Sequence, residues 1–448
     1  MSARTPTWSS ARLLGLWERV RTSFWLVPAL MTLAAAVLSY VTVELDRRLE
    51  ADLLDDFSWV WSGGSDGARS VLSTIAGSMA TVAGVVFSVN VVALTLASSQ
   101  FGPRLLRNFT RDLGNQLVLG MFISTFLYSL LVLRVIRGSD EGAFVPEISV
   151  TCAVFLAVGS VGVLIYFIGH VAEAIQVEAL IATIGRELKD EITERYSREP
   201  AYDATDPEAD VPEGTPLAVH ADAGGYVGAV AHDDLADAAA GLGAVIRVLS
   251  RPGDFVISGE TLALVHGAGH LSDEDTARIR RAFALDSHRT SAQDVRYGAR
   301  QLTEIATRAL SAGINDPTTA IGCMDWLGEA LAELARRTPE AAGHHKDGRL
   351  RVLARPVGFA ELAEAVFTPI RTYGTDDPAV MVHLIGTLTR VGRVGDAANR
   401  AVLLRLAEQA AEDALRRAEN EADRGRIADA LTRARRALGP DAGAPGPG

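Results

Sequence analysis

Residues 24–43, FWLVPALMTLAAAVLSYVTV, contain no charged side chain, and Arg12, Arg19 and Arg21 stand just before them. A hydrocarbon core about 30 Å thick needs roughly 20 apolar residues in a helix, because unpaired backbone N–H and C=O groups are too costly there. The run meets that length. No small-residue cleavage site follows a short apolar core, so it reads as an anchor rather than a removed signal peptide. Three more windows, 71–98, 117–136 and 148–170, pass the same test and are broken only near their ends by Arg134 and His170. The region 24–174 is therefore expected to be a domain of about four transmembrane helices, preceded by a cytoplasmic segment, 1–23.

Flanking charge sets the expected orientation. Arg4, Arg12, Arg19 and Arg21 precede the first span, and Arg104, Arg107 and Arg111 lie between the second and third. Positive residues near span ends stay on the cytoplasmic side, so both flanks, and after four spans the C-terminus, are expected in the cytoplasm. Arg47, Arg48, Arg69, Arg134 and Arg137 on the other side weaken the bias.

The second window carries a pattern that lipid does not demand. Gly77, Thr81, Gly84, Ser88, Val91, Thr95 and Ser98 recur on one face, nearly all small or hydroxylated, with Asn90 beside them. Such a stripe serves either close helix packing, where small residues let backbones approach, or the lining of a pore around an oligomer axis. Past a Gly-Pro break, Arg104, Arg107 and Arg111 share a helix face. They read either as lipid-phosphate anchors or as an element coupling the second span to the water-soluble part.

The chain has 448 residues and a formal net charge of -12, and most of its acidic residues follow residue 180. That balance argues against a general nucleic-acid binder. Cys152 and Cys323 are the only cysteines, too few for a disulfide framework or a cysteine-based zinc site. A connecting helix and an acidic, Pro-rich linker that begins at Glu199 occupy 175–214. A small β-rich, barrel-sandwich-like module is expected over 215–268, from the runs LAVHA, GYVGAVA, AVIRVLS and TLALVH, with a helical stretch near 233–240. The module contains no lysine, so it cannot carry a biotinyl or lipoyl group. A helical cytoplasmic domain follows over 269–438, then a disordered Pro/Gly/Ala tail, 439–448.

Within the helical part, Ser272-Asp-Glu-Asp275 reads as a capping box opening a helix to about residue 285, and the next helix is expected from about Thr290. Gly313 is placed as a left-handed cap, and Asp316 with Pro317 as a restart. His344-His345 reads as part of a turn. His288, Asp294, Asn315 and Asp316 form a candidate polar site, yet a helix some 20 residues long would separate its ends by about 30 Å. Walker loops, HExxH and Gly-x-Ser-x-Gly motifs are absent, and neither catalytic nor metal-binding residues nor a cofactor are assigned.

The run 305–320, IATRALSAGINDPTTA, together with His288-Arg-Thr and Gln293-Asp294, resembles the bacterial membrane proteins of "domain of unknown function 2254". So do 76–88, AGSMATVAGVVFS, and 97–109, ASSQFGPRLLRNF. The resemblance extends to about residue 400, with Ala312 standing where the family pattern has Pro. It implies a multi-pass protein of the bacterial plasma membrane and supplies no activity. The resulting expectation is a homo-oligomeric, channel-like or transport-related protein in a lipid bilayer, regulated by its cytoplasmic region. A non-conducting sensor or scaffold is the alternative, with a membrane-bound enzyme third.

Overall fold

Long charge-free runs become helices because only intrasegment hydrogen bonds satisfy the backbone in hydrocarbon. The computed structural model describes residues 25–48, 64–101, 113–137, 144–174, 176–196, 210–289, 293–337 and 342–440. The chain divides into two units, Met1–Gln176 and Val177–Gly448.

In the first unit four helices are long and apolar enough to cross a membrane: α1 (Leu26–Arg48), α2 (Ser65–Phe101), α3 (Leu113–Leu133) and α4 (Glu147–Ala174). α3 is the central helix and packs against the other three. Its buried face holds Val118, Leu119, Phe122, Tyr128 and Val132, whereas α1 and α4 expose Leu33, Tyr40, Phe155, Val158 and Ile165. An apolar surface of that extent suits lipid, not water. Several polar groups inside the bundle are paired. Tyr128 OH lies 2.9 Å from Thr42 Oγ1 and donates to the Ser149 carbonyl at 3.1 Å, and Thr125 Oγ1 meets Ser160 Oγ at 3.2 Å.

Two contacts fix the register at one end. Asp46 caps the free N–H groups opening α4, accepting from Ile148 N at 2.8 Å and Ser149 N at 3.0 Å. Arg69 Nη2 donates to the Ile136 carbonyl at 3.1 Å, tying the start of α2 to the segment after α3.

The second unit opens with α5 (Val177–Arg195), whose Ile181, Ile184, Leu188 and Ile192 are buried. At Gly185 a Cβ would lie 2.5 Å from the Trp326 ring, so glycine permits the close approach. Then follow β1 (Leu217–His220), β2 (Gly225–Val230), α6 (His232–Leu242), β3 (Val245–Val248), β4 (Phe255–Val256) and β5 (Thr261–His266). α7 (Asp273–Arg281) carries the expected capping box at Ser272 and Asp275. It ends earlier than its sequence suggests, because Phe283–Asp286 forms β6 and pairs antiparallel with β2. The alternating burial available beside β2 outweighs a further turn of helix.

The helical part continues with α8 (Val295–Ala309) and α9 (Pro317–Ala335), then the hairpin β7 (Gly343–Lys346) and β8 (Arg349–Leu353). His344-His345 therefore lies in a strand, and the turn falls at Asp347 and Gly348, both at positive φ. α10 (Phe359–Gly374), α11 (Pro378–Gly392), α12 (Ala397–Arg417) and α13 (Glu421–Leu438) complete the described elements. One sheet has the order β1-β5-β3-β8-β7, the other β4-β2-β6. β8 joins β3 in parallel, pairing Val352 with Ile246, so a strand from beyond residue 268 completes the module. Val219, Val230, Leu235, Ile246, Leu262, Ile279 and Val352 share its core.

Candidate functional site

In α2 the core-facing positions are Leu72, Met79, Val86 and Ala93, one heptad apart. Turning half a revolution brings Gly77, Thr81, Gly84, Ser88, Val91 and Thr95 outward, and all six are exposed. A Cβ added at Gly77 or Gly84 would meet nothing within 4 Å. Among the described residues, the stripe therefore does not pack against this chain's own bundle. Thr81 and Thr95 donate to the carbonyls of Gly77 and Val91 at 2.9 and 2.8 Å, which satisfies their hydroxyls within the helix. Asn90 is half-buried, and its enclosed Nδ2 has no hydrogen-bond partner among the described residues. Thirty-seven residues at 1.5 Å each give α2 a length of about 55 Å, well beyond one hydrocarbon core. Arg104, Arg107 and Arg111 lie outside the described residues, as does the side chain of Ser98.

In the second unit, Asp294 is the pivot of an ionic network. Its side chain is fully buried, accepting from Arg289 at 2.6 Å and Arg296 at 3.3 Å while capping α8 at Arg296 N. Arg296 also donates to Asp254 at 2.8 Å and to the Pro252 carbonyl at 2.7 Å. Arg251 holds Glu361 through two hydrogen bonds of 3.0 and 2.8 Å. That pairing keeps the Glu361 carboxyl below the usual range. Gly253, at φ +87°, leaves room for the Asp294 carboxylate, which a Cβ would overlap. Beside the network lies an open cleft of about 780 Å³, lined by Arg289, Arg296, Arg300, Asp254, Tyr226 and Phe255 among others. The last two rings meet edge to face at 5.0 Å.

The candidate polar residues fall into two places. His288 is exposed, its Nδ1 2.8 Å from Ser287 Oγ, and Asp294 is buried nearby in sequence. Asn315 and Asp316 follow the far end of α8, whose 15 residues span about 22 Å. Asn315, rather than Gly313, takes the left-handed turn at φ +49°, as a short polar side chain permits. Asp316 caps α9, and the hydrogen bonds from Thr319 hold its carboxyl below the usual range despite some burial. Both thus have structural duties. Arg251, Arg289, Arg296 and Glu361 escaped the sequence reading. The five-residue spacing of Arg289 and Asp294 was the only local signal, and Glu361 has none. Among the described residues no three His, Cys, Asp or Glu side chains are arranged to hold a metal ion.

Four apolar helices followed by an α+β unit define a polytopic helical membrane protein with a large appended domain. Residues 21–390 match the model of the predicted membrane protein family DUF2254, and the chain belongs to that family. It is 32% identical over 414 residues to uncharacterized proteins of Mycobacterium bovis and Mycobacterium tuberculosis, covering 90% of this chain and 77% of each relative. No solved structure matches the chain.

Proposed function

We propose that the chain forms a homo-oligomer in the bacterial plasma membrane, with α2 of each copy facing the axis and small solutes passing along it. Both termini lie in the cytoplasm in this reading, the α+β unit regulates passage, and the Arg104–Arg111 segment couples the two. The observation that carries it is the stripe of Gly77, Thr81, Gly84, Ser88 and Thr95 on the outward side of α2, beside the exposed Val85, Phe87 and Val92. Lipid does not reward such a stripe. A second copy does, since small residues permit close backbone approach.

The test is solute flux in liposomes. Asn90→Leu and Ser88→Leu are expected to abolish or strongly alter it, while Leu33→Ala, on the exposed side of α1, leaves it unchanged. Flux indifferent to both α2 substitutions overturns the reading. The cleft beside the Asp294 network favours a second reading, a membrane-anchored sensor that does not conduct. A small anion retained by the purified protein, with no flux under any condition, would select it.

A further inference from the structure

Apart from the open cleft, the second unit holds a smaller, more enclosed cavity of about 110 Å³. Sites for drug-sized ligands occupy roughly 300–1,000 Å³, and one water needs only about 10–15 Å³, so the space suits a group of several heavy atoms. Besides Tyr196, polar side chains from separate elements line it: Arg195 ending α5, His232 opening α6, Arg251 after β3, Gln293 before α8, His344 on β7 and Arg355 after β8. No carboxylate is among the described residues around it.

The neighbouring carboxylates approach these arginines without entering the lining. Glu361 takes Arg251, and Glu191 Oε1 lies 3.5 Å from Arg195 Nε. Arg355 is exposed and lies near enough to Glu361 to help hold its carboxyl below the usual range. The rings of His232 and His344 sit 4.4 Å apart, tilted by 30°. Burial, and then the proximity of His344, push His232 down to about 4, so its ring is neutral near pH 7 and still offers one N–H. Converging guanidinium and imidazole donors around so small a space match a tetrahedral oxyanion, whose several acceptor oxygens can be met at once.

We propose that this cavity binds a phosphate-type oxyanion, free or as the terminal phosphate of a small ester, held by Arg195, Arg251, Arg355, His232 and His344. The ligand would bridge α5, both strands of the β7–β8 hairpin region and the start of α6. This site goes beyond the proposed conduction and stands whether or not the assembly conducts.

Equilibrium dialysis of radiolabelled inorganic phosphate against the full-length protein in phosphatidylcholine nanodiscs tests it. Saturable binding is expected, weakened about tenfold by Arg355→Ala or His344→Ala, as for loss of one charge-assisted hydrogen bond. Arg355→Lys should retain part of the affinity. Because Arg355 is exposed, its variants keep the fold, and an unchanged melting midpoint checks this. Glycerol phosphate and nanodiscs containing phosphatidic acid separate the sources: Arg355-dependent binding of only one identifies the free anion, the soluble ester or the headgroup. Absence of saturable binding for all three, or binding that both alanine variants leave unchanged, overturns the proposal.

Discussion

Asp46 Oδ2 accepts two hydrogen bonds from Ser149, from Oγ at 2.6 Å and from the backbone N at 3.0 Å. The carboxylate thus ends one membrane helix and caps another, satisfying N–H groups that neither lipid nor their own helix can serve. Asp46→Ala is expected to destabilise the bundle by about 1–2 kcal/mol, the usual worth of a cap. Tyr128→Phe, which removes the bonds to Thr42 and Ser149, should lose about 0.5–1 kcal/mol. Thermal unfolding in detergent, followed by circular dichroism, checks both, and equal midpoints for wild type and Asp46→Ala would refute the cap.

Replacing Asp294 by Ala leaves Arg289 and Arg296 with their main shared counter-charge removed. A broken buried pair commonly loses about 3–5 kcal/mol, so the variant should unfold early or express poorly. Gly253→Ala should fail for a related reason, because its Cβ would strike the same carboxylate at a backbone angle that favours glycine. Near-normal stability in both variants would show that the network is not structural.

Leucine at Gly77 or Gly84 meets open space within one chain. The helix itself should gain, since leucine outranks glycine in helix propensity by up to about 1 kcal/mol. The expected outcome is an intact bundle whose cross-linked oligomers disappear. Persistence of oligomers in the double variant would remove α2 from the interface.

Glu191 gives the second unit a dependence on pH. Burial is the main cause that pushes its carboxyl up to about 7, opposed by Arg195. In the unfolded chain the group ionises near 4.5, so between the two values the folded state alone keeps its proton. Stability from this group therefore falls as pH rises from the unfolded value through about 7, and the penalty is complete above it. Glu191→Gln should stabilise the unit at pH 8 relative to wild type, by on the order of 3 kcal/mol and read as a higher melting midpoint, and change it little at pH 4. An equal gain at both pH values would argue against the shift.

Much of the architecture is legible in one dimension. Apolar length marks four helices because hydrocarbon imposes one structural solution, and alternation marks β1, β2, β3 and β5 because a sheet buries every second residue. Ser272 and Asp275, Asp316 and Pro317, and Asp377 and Pro378 announce helix starts because capping is local chemistry. The end of α7 is not legible, since a tertiary partner, β2, competes for residues that read equally well as helix.

The sequence by itself determined that the chain crosses a membrane, where its helices begin, and that one face of α2 is unusually small. The tertiary structure alone decided that this face turns away from its own bundle, and that Asp46 meets Ser149 and Arg251 meets Glu361, 103 and 110 residues apart. Periodicity and transfer free energy act through near neighbours and solvent, so they can be read along the chain. The choice of a distant partner depends on which surfaces fit, and that complementarity exists only once the elements have packed.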